Sequence, residues 1–485
     1  MGEGVKVINK TIHGGYHFNL EGKPQDRLIE LGLPSEVVIP LKQGFGREVK
    51  SLVKAGEEVK AGQIIGRDDL GISSPVHASV NGTVESLVKL ESSQGSINAV
   101  VIKADGTIDW QPLAGHNRDW QQLSVDKIES LLYSSGVTSL SGKGIPTRFK
   151  TSFISNREVE ELIVQGIEDD PYHLSLAALL AGERGDHFIE GMRILQKIMP
   201  QANIHLAVNS ERQQMVKELV LRTGDPEWLA LCSLHPKYPQ GNEQLLTRTI
   251  LGDRAKNSAD AKKVVVLSVA TILQVHDAVV EGKPLIECMV ALCGPGWKEN
   301  FHLKVRIGTP LKAISSTYLQ QAANYRLIPN NILTNRAITD LSFPVDRSFT
   351  TLAAVSENKA KKSRSYSRTF LAAFNPLTEQ GCDANNHGEL RPCIFCGNCE
   401  EVCPVGIIPH LLDKHVKRNL ISKELIRYDI FECIECNLCS FVCPSKIPVA
   451  RHIKLGCQKL IDYGYKQQPA VDPEEEELVG DYYVG

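Results

Sequence analysis

Long hydrophobic runs are missing from this chain of 485 residues. No uninterrupted apolar stretch approaches the roughly twenty residues that span a bilayer. The nearest candidate is the short segment around Val264 to Ile272, so any membrane association is expected to run through a partner or a surface contact. A charge of one sign is also missing. The net charge is only −3, which leaves no broad basic field and excludes nucleic acid as an expected partner. An apolar leader is absent too: the chain begins MGEGVKVINK, so a cytoplasmic, reducing location is expected and a disulfide framework is not. With 42% hydrophobic and 23% charged residues the composition is that of a globular protein, and the length suggests roughly three or four domains.

Cysteine is concentrated. Eight of the thirteen cysteines fall in two short runs of identical spacing, each closed by proline: Cys393, Cys396, Cys399 and Cys403 before Pro404, and Cys433, Cys436, Cys439 and Cys443 before Pro444. This pattern holds a pair of 4Fe-4S clusters. Three cysteines three residues apart wrap one corner of a cubane, and the fourth is aimed at the neighbouring cluster. The expected ligand sets are therefore Cys393, Cys396, Cys399 and Cys443 for cluster 1, and Cys433, Cys436, Cys439 and Cys403 for cluster 2. Structural zinc also takes four cysteines, but as two separated pairs without the third evenly spaced member. Cys232, Cys288, Cys293, Cys382 and Cys457 lack ligand spacing and read as small buried hydrophobes.

The N-terminal region is β-rich. Val37 to Pro40, Ser51 to Gly66 and Ser74 to Val84 alternate short apolar strands with glycine-containing turns. The phrases VKAGEEVKAGQIIG and SPVHASVNGTVESL resemble the barrel of biotinyl and lipoyl carrier domains. A working carrier displays a lysine between such halves, but the segment Arg67 to Ser73 has none, so a scaffold or docking barrel is expected. The middle third reads as α/β: apolar segments such as Ser152 to Ser155 and Ile204 to Val208 alternate with helical-period stretches such as Ile189 to Met199. Between them, Gly142 and Gly144 with Lys143, Arg148 and Lys150 make a turn-rich loop suited either to a plain turn or to a phosphate.

Near the C-terminus, Pro409 to Arg427 and Val449 to Asp462 are amphipathic at helical period, so the cluster-bearing unit is expected to be all-helical. Lys414, Lys417, Arg418, Lys423 and Arg427 read as a solvated face, with docking of an acidic redox partner as the alternative. The run from Asn358 to Arg368 is basic, serine-rich and without periodicity, as in a linker. The tail beyond Gln467 is acidic.

Taken in order, GGYH, VVIPLKQGFG, SPVHASVNGTV, HPKYPQGNEQLL, GKPLIECMVALCGPGWKENFHLKVRIGTPL, RPCIFCGNCEEVCPVGIIP and CIECNLCSFVCPSKIPVARHI resemble the landmarks of the C subunit of Rnf electron-transport complexes, the RnfC family, over nearly the whole chain. The resemblance implies a multidomain α/β protein: a barrel-sandwich domain at 1–115, an α/β domain similar to the complex I flavoprotein at 116–260, a β-grasp domain of SLBB type at 261–355, a linker at 356–370, a helical two-cluster ferredoxin domain at 371–466 and an acidic tail at 467–485. It further implies NADH and FMN as cofactors, partner subunits of a membrane redox complex or a soluble redox partner, and a peripheral place on the cytoplasmic face of the inner membrane. Departures touch the flavin site. Where relatives carry GGAGFPT, this chain has Ser141 to Thr147, keeping Gly142 and Gly144 but with Lys143 for alanine. The acidic landmark NAAECEPY is matched to Ser155 to Leu162, which points to Glu158 and Glu160. A glycine-rich segment of relatives is replaced by the glycine-free Asn331 to Thr339. Two other readings stay open: a flavin-less iron–sulfur connector fed by another protein, and a quinone-reductase subunit.

Overall fold

A computed structural model describes residues 6–43, 48–68, 73–92, 95–138, 159–222, 228–252, 263–321, 325–356 and 390–465. The chain enters as β1 (Lys6–Lys10) and β2 (Leu28–Glu30). Short strands follow: β3 (Glu36–Pro40), β4 (Lys50–Ser51), β5 (Glu58–Val59), β6 (Ile64–Arg67) and β7 (Val76–His77), then the hairpin β8 (Gly82–Ser92) and β9 (Gly95–Ala104). The middle alternates α1 (Val125–Ser135), β10 (Glu161–Gly166), α2 (Leu176–Leu179), α3 (Arg184–Ile198), β11 (Asn203–Asn209), α4 (Gln213–Leu221), β12 (Leu229–Leu234), α5 (Glu243–Leu251), β13 (Val264–Ser268) and α6 (Val269–Val279). Next come β14 (Glu287–Cys293), β15 (His302–Arg306), α7 (Leu311–Tyr318), β16 (Tyr325–Pro329) and β17 (Thr351–Ser356). The last described stretch is helical: α8 (Asn398–Glu401), α9 (Pro409–Lys417), α10 (Lys423–Arg427), α11 (Leu438–Phe441) and α12 (Val449–Asp462).

The barrel is built of two sheets, β3-β9-β8-β5 and β4-β6-β7, around Val37, Ile39, Ile65, Val84, Val100 and Ile102. The α/β layer is a parallel sheet in the order β1-β12-β11-β10-β13. Its central strands are nearly continuous apolar runs, as strands covered on both faces must be. Serine side chains start its helices: Ser124 accepts from Lys127 N and Ser268 from Thr271 N, each satisfying a donor that the helix cannot. α3 and α6 pack on one another, and Gly191 makes that possible, since a Cβ there would come within 2.4 Å of the Ile272 carbonyl oxygen. A fourth, mixed sheet runs β16-β17-β14-β15-β2, with Leu311 and Ile314 of α7 in its core.

Three differences from the sequence expectation concern boundaries. β13 and α6 are expected in the unit 261–355, but β13 pairs in parallel with β10, so the α/β layer runs on through Val279. The expected unit 1–115 begins with two strands that leave the barrel: β1 extends the α/β sheet beside β12 and β2 extends the mixed sheet beside β15. Such pairings join distant parts of the chain through backbone hydrogen bonds, which no local pattern encodes. The amphipathic stretch Pro409 to Arg427 is two helices, not one. Asn419 takes φ 56° and Ser422 caps α10 by accepting from Glu424 N. The expected linker and tail and the segment Ser152 to Ser155 lie outside the described residues, apart from Ser356 itself.

The barrel, the α/β layer and the mixed sheet meet at His77 and Arg347. His77 is buried with Nε2 2.8 Å from the Ser134 carbonyl oxygen, so Nε2 carries the proton. Burial, and next the Arg347 guanidinium, lower its pKa from 6.5 to about 4. The unfolded chain therefore takes up this proton before the folded one. Stability contributed by neutral His77 is full above pH 6.5 and is expected to fall by up to roughly 3 kcal/mol as pH drops toward 4. Chemical denaturation of the wild type and of His77→Gln across pH 4–8 checks this. A wild-type acid slope no steeper than the variant's contradicts it.

Candidate iron–sulfur centre

The two cysteine runs form loops of the same shape, 40 residues apart in register. Phe395 and Glu435 both take φ near 50–55°, Gly397 and Asn437 are both left-handed (φ 80° and 66°), and so are Gly406 and Lys446 (φ 72° and 58°). α8 and α11 each follow the second left-handed residue, and α9 and α12 pack against each other behind them around Leu412, Val416, Ile453 and Leu460. Left-handed conformations are costly for residues other than glycine and persist where the surroundings over-determine them. In the second loop backbone groups of Glu435 and Leu438 bond the Cys433 and Cys436 thiols, as suits an anionic ligand.

One hollow is lined by Cys393, Cys396, Cys399 and Cys443, with His410 and Asp413 at its wall. Burial pushes the Cys399 thiol up to about 11, and after it the neighbouring Cys443, Cys396 and Cys393 raise it further, against a lowering contact from His410. Around Cys439 the corresponding neighbours are Cys436, Cys433 and Cys403, ahead of Cys399. The fourth cysteine of each run thus stands with the other run's first three, as the ligand sets require. Burial is the first cause at Cys436 as well, pushed up to about 12. A thiol of this kind gives up its proton to a metal, not to water at neutral pH. Four sulfur donors converging from each set fit an iron–sulfur cluster on donor chemistry alone.

The two sets differ in their surroundings. Cys393 and Cys396 are exposed, as are Ile394 and Phe395 between them. The loop of Cys433 to Cys439 is instead pressed onto the rest of the molecule. Tyr238 Oη donates to the Cys436 carbonyl oxygen at 2.9 Å, and Asn437 Nδ2 donates to the Leu333 carbonyl oxygen at 2.7 Å. Phe441 meets Tyr16 and Phe18 at 5.3 and 5.2 Å between ring centroids. Gly15 N donates to the Val402 carbonyl oxygen at 3.0 Å. Gly14 has to be glycine: its φ is 58°, and a Cβ there would sit 2.8 Å from the Cys403 carbonyl oxygen. GGYH and HPKYPQGNEQLL are therefore the seat of the second ligand set: the glycines meet the end of the first run at Cys403, and Tyr16 and Tyr238 meet the second loop. So is the glycine-free segment: Ile332 and Leu333 are buried in the same aromatic cluster.

The expected flavin-site residues fare differently. Gly142, Lys143, Gly144 and Glu158 lie outside the described residues. Glu160 is described, and its position does not suit the expected role. It sits before the first residue of β10, paired with Lys263, whereas ligands of parallel α/β sheets bind beyond the carboxyl ends of the strands. At that carboxyl end lies Glu168-Asp169-Asp170-Pro171-Tyr172, which fits the acidic landmark better because its proline and tyrosine are present. Those two residues are the signal in the sequence that singles out this loop.

This acidic loop is tied to the chain's own groups. Glu168 accepts from Leu176 N at 2.5 Å and from Arg212 Nε at 3.0 Å. Asp169 accepts from Gly241 N and Asp170 from Asn331 Nδ2, each at 2.7 Å, while Tyr172 Oη donates to the Glu21 carbonyl oxygen. Burial, then Asp170, holds the Asp169 carboxyl well above its ordinary range. The carboxylates of this loop are thus each engaged by groups of the chain itself.

A helical unit carrying two converging four-cysteine sets defines a two-cluster iron–sulfur protein. Family models match in the same order: the RnfC barrel sandwich hybrid domain at residues 10–107, the Nuo51 FMN-binding domain at 132–277 and a 4Fe-4S dicluster domain at 392–447. Over most of its length the chain is similar to the RnfC family. It is 26% identical over 451 residues to the C subunit of the proton-translocating ferredoxin:NAD(+) oxidoreductase complex of Clostridium ljungdahlii, covering 92% of this chain and 93% of that protein. It is 25% identical to the C subunit of the Na(+)-translocating ferredoxin:NAD(+) oxidoreductase complex of Acetobacterium woodii, covering 86% and 90%. The C subunit of the ion-translocating oxidoreductase complex of Buchnera aphidicola is 27% identical, covering 87% and 83%. The NAD+-reducing NiFe-hydrogenase in its air-oxidized state is similar at a TM-score of 0.45 and 14% identity, over 73% of this chain and 65% of that one; at that level the likeness carries no functional information. No helix among the described residues is long and apolar enough to cross a membrane.

Proposed function

We propose that this chain is the electron-transfer subunit of an Rnf-type ion-translocating oxidoreductase, with Cys393, Cys396, Cys399 and Cys443 holding one 4Fe-4S cluster and Cys433, Cys436, Cys439 and Cys403 the other. The observation that carries the reading is the unequal setting of the two sets, one seated where the α/β layer meets the mixed sheet by Tyr16, Phe18, Tyr238 and Phe441, the other open beside Ile394 and Phe395. When bound, such clusters carry single electrons, and FMN exchanges a hydride for electrons taken singly. The aromatic seat keeps water from the inner set, and the left-handed loops aim backbone N–H groups at it. The open set is the side a partner subunit approaches, on the cytoplasmic face of the membrane.

The finer fold reading belongs here as well: the β14–β15 hairpin, α7 and the parallel return of β17 beside β14 support a β-grasp of SLBB type. NADH and FMN are the proposed entry, with Gly142, Lys143 and Gly144 as the loop that approaches the flavin. The same sequence departures support the alternative, a connector without flavin.

One experiment separates them. Full-length protein purified without oxygen is expected to carry about eight irons and one acid-releasable flavin, and NADH is expected to bleach the cluster absorbance. Eight irons without flavin and without response to NADH would select the connector. Absence of iron would overturn both.

A further inference from the structure

On the face of the α/β sheet where α3 packs on α6, two histidines and a carboxylate converge far in sequence from any cysteine run. The His187 and His276 rings lie face to face, 4.1 Å between centroids and 9° from parallel. His187, His276 and Asp277 can each offer one ligand atom, all within 4.8 Å of one another. His276 is buried, with only 1% of its side chain exposed, and is held between two carboxylates: Nε2 is 3.2 Å from Glu190 Oε2 and Nδ1 is 3.5 Å from Asp277 Oδ1. Glu190 is itself oriented, since Trp120 Nε1 donates to its Oε1 at 2.8 Å.

Both nitrogens of His276 face carboxylates. A neutral imidazole has a single N–H. With that proton on Nε2, facing the fixed Glu190, the Nδ1 lone pair confronts the Asp277 carboxylate, acceptor against acceptor. The Arg184 guanidinium acts on Asp277 electrostatically, but it donates to the Ala178 carbonyl oxygen and is not the atom between Nδ1 and Oδ1. A second proton on His276 would fill that gap and leave the stacked His187 ring without a role. A divalent cation engages all three groups.

We propose that His187, His276 and Asp277 form a binding site for a borderline divalent cation of the zinc class. Two imidazole nitrogens and a carboxylate oxygen are a zinc-type donor set, with water completing the coordination. Glu190 holds the non-ligating nitrogen of His276, the outer carboxylate that metal-bound histidines commonly have. Asp277, 43% exposed, is the entry path. Ligand atoms of a four-coordinate site with bonds of 2.0–2.2 Å are roughly 3.3–3.6 Å apart, so loading draws the three groups together and tilts the rings. Because the ligands come from α3 and α6, the cation staples these helices. The role is structural, without electron transfer.

The test uses the full-length, cluster-loaded protein, kept from oxygen, stripped of loosely bound metal and titrated with zinc chloride. Wild type is expected to take up one zinc per chain with its iron content unchanged and to melt at a higher temperature. His187→Ala and Asp277→Asn are expected to lose that zinc and the thermal shift, and Glu190→Gln to bind about 10–100-fold more weakly. Each variant is compared with itself with and without zinc, so that a lower zinc-free melting temperature caused by the lost ring and ion-pair contacts is not read as lost binding. Failure of wild type to take up zinc, uptake only at the expense of iron, or unchanged affinity in His187→Ala and Asp277→Asn would overturn the proposal.

Discussion

Replacing Cys403 by alanine is expected to empty the cluster site of the other cysteine run, not of its own. Iron should fall from about eight to about four per chain. Combining Cys403→Ala with Cys439→Ala should cost no further iron, because both residues serve one cluster. Combining Cys443→Ala with Cys439→Ala should remove both clusters. If each run instead held its own cluster, the two double variants would exchange outcomes, and iron analysis with electron paramagnetic resonance of the reduced proteins decides the matter. The crossed arrangement follows from the neighbours of each thiol: Cys403 stands with Cys433, Cys436 and Cys439, and Cys443 with Cys393, Cys396 and Cys399. Crossing also makes the helical unit depend on both clusters, so loss of either should raise proteolysis between α8 and α12.

Arg347→Ala is the second large effect. This guanidinium is buried, 4% exposed, and donates to three parts of the molecule: Nη2 to the Pro75 carbonyl oxygen and Nη1 to the Gly136 carbonyl oxygen, each at 3.1 Å, and Nε to Gln43 Oε1 at 3.2 Å. Burial lowers its pKa only to about 10, so the charge remains at neutral pH. Truncation strands the carbonyl groups of Pro75 and Gly136 in a dry junction, each costing about 1–3 kcal/mol, while Gln43 Oε1 keeps the backbone N–H of residue 347 at 3.3 Å. The expected loss is roughly 3–5 kcal/mol, enough to separate the barrel from the α/β layer. Hydrogen exchange should rise at residues 73–78 and 134–138, and lysine should restore little because it lacks the planar fork. Unchanged exchange in Arg347→Ala would show that the junction does not depend on this side chain.

How much of this is legible in the sequence differs by feature. The cysteine runs announce their chemistry because ligand spacing is a local property. The apolar period gives α12 to the residue and β11 nearly so, because periodicity is local as well. Glu160 is a misleading match because two acidic residues alone fit many places, whereas the proline and tyrosine that follow Glu168 fit one. The single amphipathic stretch Pro409 to Arg427 breaks into α9 and α10 because a left-handed asparagine and a serine cap interrupt hydrogen bonding without interrupting the apolar pattern.

By itself the sequence determined that the protein binds two iron–sulfur clusters, which eight cysteines supply, and that its parts are a barrel, an α/β layer and helices. Only the tertiary structure decided which set is seated and which is open, that β1 and β2 leave the barrel to extend two other sheets, and that GGYH is a platform for the inner ligand set, Cys403 included. The physical reason is range. Thiolate spacing and apolar period are written over a few neighbouring residues, while strand partners, aromatic seats and a buried guanidinium join residues hundreds of positions apart.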